Sequence, residues 1–147
     1  MYSKDSIIKT FSSLCIILII TCISQTANAV DVIVNPSVSE PTLTMSQLRR
    51  IYTMRQTQWL DGQRITVFVL PRHHALHLQF SKELLEMYPY QLDRIWNKLT
   101  YSGLGVAPIT VISPQDLIDA VRNTPGSIGY IGKLKDEKNF YVIDIKG

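Results

Sequence analysis

The sequence predicts a three-layer α/β sandwich around a mixed, mostly parallel sheet. Two observations lead there. Short β-branched or apolar runs alternate along the chain with segments whose apolar residues recur at helical spacing, the order expected when strands and helices interleave. One of the runs, Ile65-Thr66-Val67-Phe68-Val69-Leu70, is nearly all apolar, which suits a strand covered on both faces.

The first residues read as a leader rather than as part of this fold. Lys4 and Lys9 give a positive start, the apolar run Phe11 to Ile23 follows, and Ala27-Asn28-Ala29 is a small-x-small cleavage site. An apolar run of 13 residues is shorter than the ~20 that cross a bilayer as a helix. Residues 1–29 are therefore expected to be a signal peptide cleaved after Ala29, with residues 30–147 forming one periplasmic domain. The alternatives are an uncleaved anchor, or a lipoprotein matured at Cys22, where Ile19-Ile20-Thr21-Cys22 approximates a lipobox with Thr21 at its small-residue position. Both cysteines, Cys15 and Cys22, fall in the leader, so disulfides, thiol catalysis and cysteine metal sites are not expected in the domain.

Val30 to Val34 is β-branched and stops at Asn35-Pro36, so it reads as the first strand. Ser37 to Thr44 reads as a polar loop. Thr44 can cap a helix that carries Leu48, Ile51 and Tyr52 on one face. Asp61-Gly62 signals a turn before the Ile65–Leu70 strand, which Pro71 stops. Leu76, Phe80, Leu84 and Leu85 form the stripe of the next helix, and Leu92, Ile95, Trp96 and Leu99 that of a further helix from about Tyr90 to Tyr101. Ile109 to Ile112 is a short strand. Ser113-Pro114-Gln115-Asp116 starts a helix with a cap, a first-position proline and a first-turn acid; Leu117, Ile118 and Val121 bury it and Pro125-Gly126 ends it. Ser127–Ile131 and Phe140–Ile145 are the last strands.

Composition narrows the function. Removing Lys4, Lys9 and Asp5 with the leader leaves 13 basic and 11 acidic residues, a net charge of +2. That charge is too weak and too evenly spread to suggest nucleic-acid binding. Paired carboxylates at recognisable spacing, a nucleophile elbow, a phosphate loop and HExxH are all missing, so an enzyme is not expected, nor a cofactor. Asp93 and Glu86 read as ordinary helix-surface charges.

The order of motifs resembles the phosphate-transporter type of periplasmic substrate-binding protein. It runs from Val34-Asn35-Pro36 through Leu48 to Ile51-Tyr52, Trp59, Asp61-Gly62, Phe80, Trp96 and Ser102-Gly103, to Pro125-Gly126-Ser127-Ile128-Gly129-Tyr130-Ile131, which looks like the family's PGxIGY signature. The chain is similar to a short, single-lobe relative, the second lobe alone, and the resemblance implies one lobe of a type II periplasmic binding protein. It implies a non-enzymatic module that binds a small oxyanion such as phosphate. Where the family carries Ser-Gly-Thr for the phosphate, this chain reads Pro71-Arg72-His73-His74-Ala75.

Candidate ligand residues follow from these readings. Arg72, His73 and His74 sit at an expected helix start, where exposed amides carry partial positive charge; cations there are unfavourable unless an anion lies between them and the amides. Histidines charged by such an anion would make binding strengthen as pH falls. Ser37 and Ser39 follow the first strand, read as the carboxyl edge where open α/β sheets hold ligands. Ser127 lies in the PGxIGY stretch. Trp59 and Tyr130 are expected in the core. Two alternatives stand beside the oxyanion reading. One is a protein-interaction module that docks an envelope partner or a second copy. The other is metal binding through the His73, His74 and His77 cluster, in which His73 and His77 would share a helix face at a spacing of four.

Overall fold

The computed structural model describes residues 29–40, 42–132 and 141–147. The expectations for the leader, for Cys15 and for Cys22 concern residues 1–28, outside that description. Among the described residues no helix is long and apolar enough to cross a membrane.

Six strands form one sheet: β1 (Val30–Val34), β2 (Thr42–Thr44), β3 (Thr66–Val69), β4 (Ile109–Thr110), β5 (Ser127–Gly132) and β6 (Tyr141–Lys146). Their order is β2-β6-β1-β5-β3-β4. β1 is antiparallel to both neighbours, whereas β2–β6, β5–β3 and β3–β4 pair in parallel. The expected mixed, mostly parallel sheet is therefore present, and β1 is the strand that runs against it.

Among the described residues four helices cover the two faces: α1 (Met45–Tyr52), α2 (Ala75–Glu83), α3 (Pro89–Tyr101) and α4 (Pro114–Asn123). The pleat of β5 separates them, because successive residues point to opposite faces. Gly129 faces α4 so closely that an added Cβ would lie 2.5 Å from Leu117 Cδ2 and 2.9 Å from Val121 Cγ2. Tyr130, next in the strand, stacks on Phe80 of α2 at 4.0 Å and meets Tyr52 of α1. α3 joins that layer through Trp96, whose Nε1–H donates to the Tyr52 carbonyl at 2.7 Å.

Local chemistry sets the helix ends. Thr44 and Gln47 form a capping box on α1, as do Ser113 and Asp116 on α4, each satisfying amides that a helix start leaves free. Pro89 and Pro114 occupy the first helical turn, where no amide hydrogen is needed. Gly126 turns α4 back into β5 at φ 72°, with the Arg64 carbonyl 2.4 Å from where a Cβ would sit. Only glycine fits both constraints.

Two expectations change. Ser37 to Thr44 is not all loop: Thr42–Thr44 pairs in parallel with Asp144–Lys146 as β2. Three residues are too few to show a strand period, and the partner lies at the far end of the chain. In the 109–112 run only Ile109 and Thr110 pair, as an exposed edge strand.

Candidate functional site

The described residues place Arg72, His73 and His74 in the turn between β3 and α2, at the carboxyl edge of the parallel strands. The His74 amide closes that turn on the Pro71 carbonyl at 2.8 Å. The helix then begins at Ala75, later than Pro71 alone suggests, and His74 is its N-cap: Nδ1 accepts the Leu76 amide hydrogen at 3.2 Å. His73 is exposed and lies outside the helix.

Below the turn lies a buried polar chain that crosses three elements. The Leu70 amide donates to Tyr130 Oη at 2.9 Å, and Tyr130 Oη contacts His77 Nδ1. Tyr130 Oη accepts from Leu70 and keeps one hydrogen and one lone pair, so it can donate to a bare His77 Nδ1 or accept from a protonated one, according to the tautomer. His77 is 1% exposed. Burial lowers its pKa to about 4, the nearby Asp93 carboxylate pulls the other way, and His74 lowers it slightly further. Burial pushes the Tyr130 hydroxyl well above its ordinary range, with the Leu70 amide opposing. Tyr52, wholly buried, is shifted up in the same way, and its hydroxyl has no partner among the described residues.

This geometry corrects the histidine expectations. His73 and His77 do not share a helix face, because α2 starts after His73 and His77 points inward to Tyr130. The metal alternative thus loses the pair on which it stood; a grouping of three or more His, Cys, Asp or Glu is also absent among the described residues. Nor do three free cations converge at the helix start. Arg72 reaches Asp93 Oδ2 at 3.4 Å, and protonating His74 on Nδ1 would break its cap on Leu76.

Ser37, Ser39 and Ser127 sit at the other end of the sheet. β1 runs against its neighbours, with Val34 opposite Ile128 and Val30 opposite Gly132, so the segment after β1 lies at the amino edge of β5 and β3. At about 3.3 Å per residue, the length of β3 alone puts more than 10 Å between the two groups. There the serines hold the turn together. The Gly126 amide donates to Ser37 Oγ at 2.8 Å, and Gln63 Nε2 donates to it at 3.2 Å. Ser127, fully buried, donates to the Thr124 carbonyl at 2.6 Å and approaches that of Val121 at 2.9 Å, so its hydroxyl is turned away from any ligand. Ser39, exposed, has only a 3.5 Å contact with Asp61. Asn35 completes the knot, donating to the Val121 and Arg122 carbonyls at 2.8 Å each.

Sequence reasoning missed the partner of Asp93, and it read His77 as a possible metal ligand rather than as a buried core residue. Asp93 read as a surface charge and instead faces Arg72 from α3. Its position on the helix gave no signal, since the partner lies on another element. His77 had one: it stands three residues before Phe80, on the buried stripe of α2. Trp59 and Tyr130 are in the core as expected.

Neither a protein-family profile nor a curated protein matches the chain. Solved structures do. An ABC-type phosphate transport receptor from Vibrio cholerae superposes with a TM-score of 0.61 at 19% identity, covering 79% of this chain and 45% of its own. A Clostridium perfringens protein, described as a phosphate ABC-transporter substrate-binding protein and solved with bound phosphate, gives 0.64 at 16% identity, covering 79% and 44%. PstS from Borrelia burgdorferi gives 0.60 at 21% identity, covering 81% and 47%. The chain thus spans less than half the length of these proteins and has the fold of a periplasmic-binding-protein lobe.

Proposed function

We propose that the chain is an exported, non-enzymatic binding module of the periplasm that takes a small oxyanion such as phosphate at the β3–α2 turn. The observation that carries this reading is the helix start itself. His74 satisfies only the Leu76 amide, so the neighbouring amides of Ala75 and His77 retain the partial positive charge of the α2 N-terminus. Exposed Arg72 and His73 flank them. Arg72 is available because its contact with Asp93 is long and half exposed, a kind of pair worth roughly 0–1 kcal/mol. The likeness to phosphate-binding proteins supports the same ligand class. Calorimetric titration with phosphate and with sulfate at neutral pH tests the reading: binding should weaken at least several-fold in Arg72→Ala. Absence of heat with either anion would overturn it.

A second reading, a protein-interaction module, draws on Tyr101, Leu104 and Ile112, which are 90%, 80% and 86% exposed at the end of α3, just after it and just after β4. Large apolar side chains left in water favour a covering partner. Sedimentation that stays monomeric into the high micromolar range would remove self-association.

A further inference from the structure

The end of β3 remote from the α2 turn borders a cavity. Residues at the start of β3 meet Met54 and Thr57 beyond α1 and the segment leading into β4, around a volume of about 300 Å³. Volumes of this order, roughly 300–1,000 Å³, accept small organic ligands. Met54, Ile65, Val106 and Ile109 make the wall largely aliphatic. Val106 and Ile109 are nevertheless 67% and 50% exposed, so apolar surface at the cavity stays in water. A hydrocarbon seated there would bury it.

The cavity also has one charge and no counter-charge. Arg64 lines it, no acidic residue does, and the Arg64 side chain has no ion pair or hydrogen bond among the described residues. A guanidinium is always charged, and its fork of N–H donors matches the two oxygens of a carboxylate. The Thr57 hydroxyl adds a further polar group at the wall. An aliphatic wall with one unopposed guanidinium complements a molecule that has a hydrocarbon body and a carboxylate head.

We propose that this cavity binds a small amphipathic carboxylate, its hydrocarbon against Met54, Ile65, Val106 and Ile109 and its carboxylate on Arg64. The site lies at the opposite end of β3 from the α2 turn and stands independently of the oxyanion reading. Octanoate is the probe, titrated into the isotope-labelled chain while its amide resonances are followed. A ligand of ten non-hydrogen atoms binding at modest efficiency should reach a dissociation constant of ~1 mM. The resonances of Thr57, Ile65, Val106 and Ile109 should move together. Arg64→Gln should weaken octanoate about tenfold, the loss typical of a charge-assisted hydrogen bond, while leaving 1-octanol unchanged. Val106→Glu, at an exposed position that tolerates a charge, should also weaken octanoate by placing a carboxylate at the cavity. Shifts confined to other residues, equal octanoate affinity in Arg64→Gln, or octanol matching octanoate in the unsubstituted chain would each overturn the proposal.

Discussion

Acid should destabilise this chain through one buried side chain, His77. The ring is packed between Tyr130 of β5 and Trp96 of α3, with Asp93 and the His74 cap near it, and burial holds its pKa at about 4. In the unfolded chain the same ring titrates near 6.5. The folded value is the lower one, so between these values the unfolded chain binds more protons. His77's contribution is then fully present above about pH 6.5 and is lost as pH falls toward 4. A difference of ~2.5 units limits the loss to about 3 kcal/mol. Linkage distributes it as about 1.4 kcal/mol by pH ~5.5 and about 2.5 kcal/mol by pH ~4.5. Carboxylates titrate over part of the same range, so the measurement has to be a difference. Urea unfolding at constant ionic strength should be followed for the unsubstituted chain and for His77→Gln, whose amide oxygen can still accept from Tyr130 but does not titrate. Between about pH 7.5 and 4.5 the unsubstituted chain should lose ~2.5 kcal/mol more than the variant. Parallel losses in the two proteins, or a His77 ring resonance titrating near 6.5, would refute the argument.

Other consequences are simpler to state. Gly129→Ala drives a methyl group into Leu117 and Val121, and overpacking of this kind should cost about 1–3 kcal/mol, read as a lowered urea midpoint at unchanged slope. Gly126→Ala should cost more than Gly129→Ala, because its obstacle is the Arg64 backbone carbonyl rather than a side-chain end and its φ is positive. Thr44→Ala removes the α1 cap and should cost about 1 kcal/mol, seen in the same unfolding assay. Protein recovered from the producing cell should begin at Val30; an N-terminal sequence starting with a lipid-modified Cys22 would contradict the expected cleavage.

Most of the elements could be read from local pattern, and the reason is visible in the caps. Thr44 with Gln47, Ser113 with Asp116 and the prolines at 89 and 114 act within one helical turn, so neighbouring residues suffice to specify them. The apolar stripes of α1, α3 and α4 are similarly local: Leu48, Ile51, Leu92, Trp96, Leu117 and Val121 are buried where their spacing puts them. The glycines of Pro125-Gly126-Ser127-Ile128-Gly129 mark close backbone approaches, and the motif stands out in sequence for that reason.

What sequence could not decide is direction and partnership across the sheet. An apolar strand reads the same whether it runs up or down, and the antiparallel course of β1 moved Ser37 and Ser39 to the edge opposite Arg72. A helix start can slide by a turn when two histidines precede it; the cap on His74 fixed it at Ala75 and left His73 and His77 in unrelated environments. Asp93 facing Arg72, Tyr130 hydrogen-bonded to Leu70 and in contact with His77, and exposed Arg64 bordering one cavity with Val106 and Ile109 each join residues about 20 to 60 positions apart. Such contacts depend on how layers pack, and only the folded chain brings those side chains within reach of one another.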